Sequence, residues 1–165
     1  MRRVRPTRAP AGATDAYDAF FTAHIGAVYR VGARILGPGP GAEDVAVEAM
    51  ARAYVHWSAV ASMERPVGWV LRVATNLALD DVRRRVPRLS PATSSDRTEE
   101  VVLRGALVAA LRELPRRQQE VVVLRYIADL PEADVAAALG ISTGSVKTHL
   151  HRALPRLRAG LAAPA

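Results

Sequence analysis

The stretch from Ser142 to Arg158 carries four hydroxyls, a lysine, two histidines and three arginines, and not one carboxylate. Such a set donates hydrogen bonds and positive charge, the chemistry that phosphate oxygens and the base edges of a major groove accept. Spacing sorts these side chains. Val146, Leu150, Ala153 and Leu157 recur at steps of 4, 3 and 4. At about 100° per residue that apolar face turns Gly144, Thr148, His151 and Arg152 the opposite way, with Ser145 and Lys147 at the edges. Upstream, Val135, Ala136 and Leu139 form the inner face of a short helix, and small Ala136 admits a close neighbour. Gly140 permits a turn, Ile141 plugs the corner and Ser142 is placed to cap the next helix. The unit reads as a helix-turn-helix whose second helix offers Ser142, Thr143, Ser145, Lys147, Thr148, His151 and Arg152 to a duplex. An ordinary αα-hairpin with a solvated basic face is the competing reading, which the acid-free helix and the Ala/Gly/Ile/Val spacing disfavour. Pro155 removes an internal hydrogen bond and is expected to kink or end this helix near its last turn.

Other arrangements of chemistry-bearing residues are sparser. Glu43, Asp44 and Glu48 share a helical segment but stand off its apolar stripe, where a solvated face competes with a docking role. Arg72 and the run Arg83-Arg84-Arg85 belong to a second basic helix able to track a phosphate backbone. Catalysis is poorly served: His24, His56, His149 and His151 form no H-x-x-x-H or E-x-x-H pattern, and His149 and His151, two apart on a helix, diverge by about 200°. No P-loop is present. Without cysteine there is no thiolate nucleophile, disulfide or Cys-ligated metal, which fits a reducing compartment. The sequence therefore points to no enzyme, no cofactor and no metal.

The elements that must position these residues are helices. Apolar residues make up 50% of the 165-residue chain but aromatics only 5%, so the core is built from Ala, Val and Leu, which suits helices better than sheets. Residues 1–13 lack periodicity and read as a flexible basic tail. A first helix follows from Asp15 through Ile35 and stops at the Gly/Pro run 37–41. A second runs from about Ala42 to Trp57 on a Val45/Ala49/Ala53/Trp57 stripe. A third starts near Pro66 and ends in Arg83-Arg84-Arg85. Residues 87–100, rich in Pro, Ser and Thr, read as a linker between two domains. Beyond it, Leu103 to Leu114 mark a fourth helix and Pro115 opens a fifth. The run Val121-Val122-Val123-Leu124 could be a buried strand, but its flanks favour helix. The expected fold is all-α: two small helical domains, residues 14–86 and 101–160, joined by a flexible linker, the second a helix-turn-helix of winged-helix-like type.

Three segments carry a family resemblance. GAEDVAVEAMARAY (41–54) resembles the polymerase-binding helix of bacterial sigma factors, RPVGWVLRVATNLALDDVRRR (65–85) their promoter-melting helix, and LRELPRRQQEVVVLRYIADLPEADVAAALGISTGSVKTHLHRAL (111–154) their upstream-element reader. Their order, with only a short linker between the lobes, resembles the extracytoplasmic-function (ECF, group 4) class of the sigma-70 family. The chain departs from that pattern at Val47, where Gln is usual, at Met50, where Phe is frequent, and at Pro131, where a capping Ser is common. The resemblance implies a factor that binds core RNA polymerase, recognises promoter DNA and initiates transcription. It implies that Glu43, Asp44 and Glu48 pair with basic residues on the clamp helices of the largest polymerase subunit. By the same resemblance, the 60–65 loop and Asn76 hold an unpaired base of the melted non-template strand, while Arg72, Arg83, Arg84 and Arg85 follow its phosphates. For Asn76 a helix-packing hydrogen bond is the alternative. Sequestration by an anti-sigma factor is a further partnership the class admits.

Charge and length agree with a polyanionic partner. Residues 1–8 carry four arginines and no acid, residues 9–100 have 10 basic against 11 acidic groups, and residues 101–165 have 9 against 5. Both ends are thus basic, although GC-rich coding competes as the reason for Arg over Lys. A linker of about 14 residues reaches at most roughly 50 Å, enough for the lobes to engage promoter elements about one and a half to two turns apart. No apolar run approaches the roughly 18 residues of a membrane span, and no signal-peptide core follows the basic start, so a cytoplasmic protein without membrane insertion is expected. The competing function is a one-component helix-turn-helix regulator, which would bind palindromic DNA unaided.

Overall fold

Proline and glycine set the helix boundaries in the N-terminal lobe. The computed structural model describes residues 11–85 and 99–162. Residues 1–10 of the expected tail and 87–98 of the expected linker lie outside the described residues. Helix α1 (Ala11–Leu36) begins inside the stretch expected to be tail. It closes where the chain turns through Gly37 and Gly39, and Pro40 then opens α2 (Pro40–Val55) at a position whose missing amide hydrogen costs nothing. The second helix is split: α2 stops at Val55, and a five-residue helix α3 (Trp57–Ala61) takes the chain to the Ser62–Arg65 loop. Helix α4 (Pro66–Arg85) begins at the proline expected to open it.

The apolar periodicity becomes the packing. On α2 the hidden residues are Ala42, Val45, Ala46, Ala49, Met50 and Ala53, so α1 and α4 meet a face of small side chains and one methionine. The Tyr17 hydroxyl donates to the Met50 carbonyl at 2.8 Å, and its ring stands edge-on to Tyr54 and Trp57 at 4.9 and 5.3 Å. Burial, with the neighbouring Asp18 and Tyr54, raises the Tyr17 hydroxyl above the ordinary phenol range. Each fully buried Val, Leu or Met contributes about 1.5–3 kcal/mol. Val28, Val31, Val70, Leu71 and Ala74 complete this core.

In the C-terminal lobe, α5 (Glu99–Arg112) starts two residues inside the stretch expected to be linker, and α6 (Arg116–Val122) follows Pro115. Residues Val121 to Leu124 are all buried and helical, not a strand, but the helix widens from Val123 to Ile127 into a π turn, with Ala128 N–H donating to the Val123 carbonyl at 2.9 Å. Helices α7 (Glu132–Leu139) and α8 (Thr143–Ala162) complete the chain. The described residues contain no strand, in keeping with the expected all-α fold. One expectation needs correction. Pro155 does not end its helix, which continues to Ala162. Pro155 and His151, whose carbonyl would have accepted the missing bond, are both exposed, so water can satisfy that oxygen.

The two lobes are not separate bodies. Helix α4 lies against α7 and the π turn, and the buried apolar residues of both lobes form one contiguous cluster.

Candidate nucleic-acid interface

The turn between α7 and α8 is built by local chemistry. Gly140 adopts the left-handed conformation at φ 64°, and Ile141 N–H reaches back to the Ala136 carbonyl at 3.0 Å, closing α7 in a Schellman arrangement. Ser142 Oγ accepts from Ser145 N–H at 3.1 Å and lies 2.9 Å from Ser145 Oγ, capping α8. These bonds fix the direction in which α8 leaves. Val146, Leu150 and Ala153 are buried, while Ser142, Thr143, Lys147, Thr148, His151 and Arg152 are exposed and Ser145 is half-buried. All seven residues expected to face a duplex therefore lie along the open side and N-terminal end of one helix. The Thr148 hydroxyl donates to the Gly144 carbonyl at 2.9 Å, which leaves both its lone pairs free to accept. Lys147 Nζ lies 3.8 Å from a Glu132 carboxylate, a loose exposed pair.

The residues expected at a melted strand sit differently. Arg72, half-buried, donates to the Ala138 carbonyl at 3.2 Å. Asn76 Oδ1 accepts from Arg116 at 3.1 Å, and Arg83 bonds Asp80 and, at 3.4 Å, Gln119 Oε1. Arg84 is exposed, and the Arg85 side chain lies outside the described residues. In the preceding loop, Arg65 pairs with Asp134 at 2.9 Å. Three members of the α4 set, and the loop's arginine, are thus engaged by the C-terminal lobe. Burial works to raise the Asp80 carboxyl, but hydrogen bonds and charge from Arg83 and Arg116 prevail and hold it below the usual carboxylate range. Arg116 was not singled out from sequence, and no local pattern distinguishes it, because its partners lie 36 and 40 residues away.

On α2 the acids Glu43, Asp44 and Glu48 are exposed along one side, Glu48 bonded to Arg52 at 2.8 Å. Beside them Val47, Tyr54 and Val55 are 62%, 48% and 75% exposed, an apolar strip among charges of the kind that marks a protein-docking face. Tyr54 and Val55 were legible as residues off the buried stripe but were not picked out. Among the described residues no group of three or more His, Cys, Asp or Glu could hold a metal ion, and no helix is long and apolar enough to cross a membrane.

Two helical lobes, one with an acidic helix face and the other with a helix-turn-helix, have the architecture of a promoter-specificity factor, and comparison with known proteins agrees. Sigma-70 region 2 matches residues 20–88 and sigma-70 region 4 matches residues 104–157. The RNA polymerase sigma-E factor of Streptomyces coelicolor is 38% identical over 138 residues, spanning 79% of this chain and 78% of that protein. The ECF RNA polymerase sigma factor SigL of Mycobacterium tuberculosis is 30% identical over 166 residues, 94% of each chain. Among solved structures, the sigma factor RpoE of Bartonella quintana, in complex with the anti-sigma factor NepR, superposes with a TM-score of 0.61 at 17% identity, covering 92% of this chain and 99% of that one, a likeness of fold. The chain belongs to the ECF sigma factors of the sigma-70 family. Members of this family are not catalytic enzymes; they bind core RNA polymerase and direct it to promoter DNA.

Proposed function

We propose that this sigma factor divides its work by face. Residues 14–86 form the region 2 domain, in which Glu43, Asp44 and Glu48 dock on basic side chains of core polymerase. Asn76, Arg72, Arg83, Arg84 and Arg85, with the 60–65 loop, hold the melted non-template strand. Residues 101–160 form the region 4 domain, in which Ser142, Thr143, Ser145, Lys147, Thr148, His151 and Arg152 read the upstream element in the major groove. Residues 87–100 join the two, and the protein works in the cytoplasm, where its polymerase is. An anti-sigma factor is a further partner in this reading, on the precedent of RpoE with NepR.

The observation that carries the reading is the open side of α8, acid-free and fixed in direction by the Gly140 turn and the Ser142 cap. The test is to mix the purified chain with sigma-free core polymerase and genomic DNA and to sequence the transcripts. Start sites sharing two spaced elements are expected. Transcripts no different from those of core alone would overturn the assignment.

A further inference from the structure

Three arginines meet in a groove that is lined by none of α2, α4 or α8. Arg30 and Arg34 come from the last two turns of α1 and Arg104 from α5 of the other lobe, and the groove between them encloses about 550 Å³ with Leu103 and Leu107 as its apolar wall. One carboxylate shares it. Glu100 accepts from Arg104 at 2.9 Å, which leaves a surplus of two positive charges. Among the described residues Arg30 and Arg34 have no hydrogen-bond or ion-pair partner, so the five N–H donors of each guanidinium are unspent.

The fold does not itself ask for this grouping. Arg30 and Arg34 stand one turn apart on α1, where like charges repel. The negative end of that helix accounts for a cation in its last turn, but not for a third arriving from α5. Arg104 is nevertheless held close: only 20% of its side chain is exposed, and a Cβ at Gly37 would stand 3.1 Å from its Nη1. Gly37, at φ 94°, thus turns the chain out of α1 and leaves the space in which this guanidinium lies. Converging guanidinium forks match phosphate oxygens, two at a time, better than they match a lone carboxylate. The enclosed volume falls in the range of small-molecule sites, about 300–1,000 Å³, and the apolar wall asks for a ligand with a less polar body beside its charges.

We propose that this groove binds a small organic polyphosphate, its phosphates on Arg30, Arg34 and Arg104 and its less polar part against Leu103 and Leu107. A ligand so placed touches both lobes and stabilises the chain by mass action. The site is independent of the promoter assignment, so the test uses the full chain without polymerase. ATP and inorganic tripolyphosphate serve as probes, titrated calorimetrically at two salt concentrations. Arg30→Glu with Arg34→Glu is compared with Arg156→Glu with Arg158→Glu, an equal charge change at exposed positions of α8 outside the groove. The groove pair should weaken ATP binding about tenfold or more, with the α8 pair equal to wild type. ATP should bind wild type more tightly than tripolyphosphate and raise its thermal midpoint. No binding by wild type, or equal losses in the two pairs, would overturn the site, since the second result is that of net charge alone. Tripolyphosphate binding as tightly as ATP would overturn the organic ligand. A single-stranded oligonucleotide that displaced ATP, and was itself lost with the groove pair, would assign the groove to nucleic acid instead. Should the glutamate pair disturb folding by circular dichroism, Arg34→Gln, at an exposed position, should weaken ATP in the same direction, and ATP binding equal to wild type would reject the proposal.

Discussion

Helices α4 and α8 are each 20 residues long and each carries residues assigned to nucleic acid, yet they are presented in opposite states. Along α8 Lys147, Thr148, His151 and Arg152 are exposed, bonded at most to their own lobe. Along α4 Arg72, Asn76 and Arg83 are held by the other lobe. A duplex can be met from outside, since its groove is already formed, whereas a single strand exists only after melting. The difference resides in the companions of each helix: α8 is backed by its own lobe, while α4 is covered from the far side by α6, α7 and the π turn.

The contrast depends on polymerase docking being a third, independent face. Asp44→Arg with Glu48→Arg should abolish pull-down of core polymerase with helical circular dichroism unchanged, because neither side chain lies in the core. Upstream duplex binding should survive in this variant. Capture at wild-type strength would remove α2 from the docking role.

Within α8, Thr148→Ala or His151→Ala should cost about 1–3 kcal/mol at one base pair and relax choice there. Arg152→Ala, nearer the far end of the helix, should weaken all sequences alike and lower the salt slope by about 0.9. Holoenzyme selections from a library randomised in the upstream element, run at two salt concentrations, distinguish these outcomes. Preferences unchanged by alanine at 147, 148, 151 and 152 would mean that α8 is not the reader.

The turn that aims α8 is open to a smaller change. At Gly140 an added methyl would meet nothing within 4 Å, so Gly140→Ala is penalised only by its left-handed backbone, about 1–2 kcal/mol. Urea unfolding should show a lower midpoint at unchanged slope, and a midpoint equal to wild type would show that the turn is not held in that conformation.

The smallest effect concerns acid. Asp80 titrates below its ordinary range when held by Arg83 and Arg116, so its stabilisation is complete above the usual carboxylate range and is lost as pH falls through the lowered value. Asp80 is 44% exposed, which keeps the effect modest. Amide exchange along α4 should quicken below about pH 4 and the acceleration should be absent in Asp80→Asn; the same profile in both would assign the change to other groups.

How much of this could be read in advance depended on the range of the contacts. The α8 face was legible because Val146, Leu150 and Ala153 repeat within three turns and Gly140 and Ser142 lie within the turn itself. The cover on α4 was not, because Arg116, Asp134 and Ala138 reach partners 36 to 69 residues away, with no period linking them. Backbone irregularities were missed for another reason. The π turn at Val123–Ile127 satisfies the same apolar pattern as an α-helix, and Pro155 persists in α8 because solvent takes over the bond it removes. The division of α2 from α3 at His56 falls between two residues that both fit a helical stripe.

The contact of Gly68 with Ala138 links this molecule to its ancestry. A Cβ at 68 would stand 3.2 Å from the Ala138 Cβ, so these two positions, 70 residues apart, must adjust to one another. A lineage that gains a side chain at 68 must trim the one at 138 or shift the seating of the two helices by a few tenths of an ångström. Paired variation at these sites, compared with variation at neighbouring exposed positions of α4 and α7, would therefore record which ECF sigma factors have kept this seating.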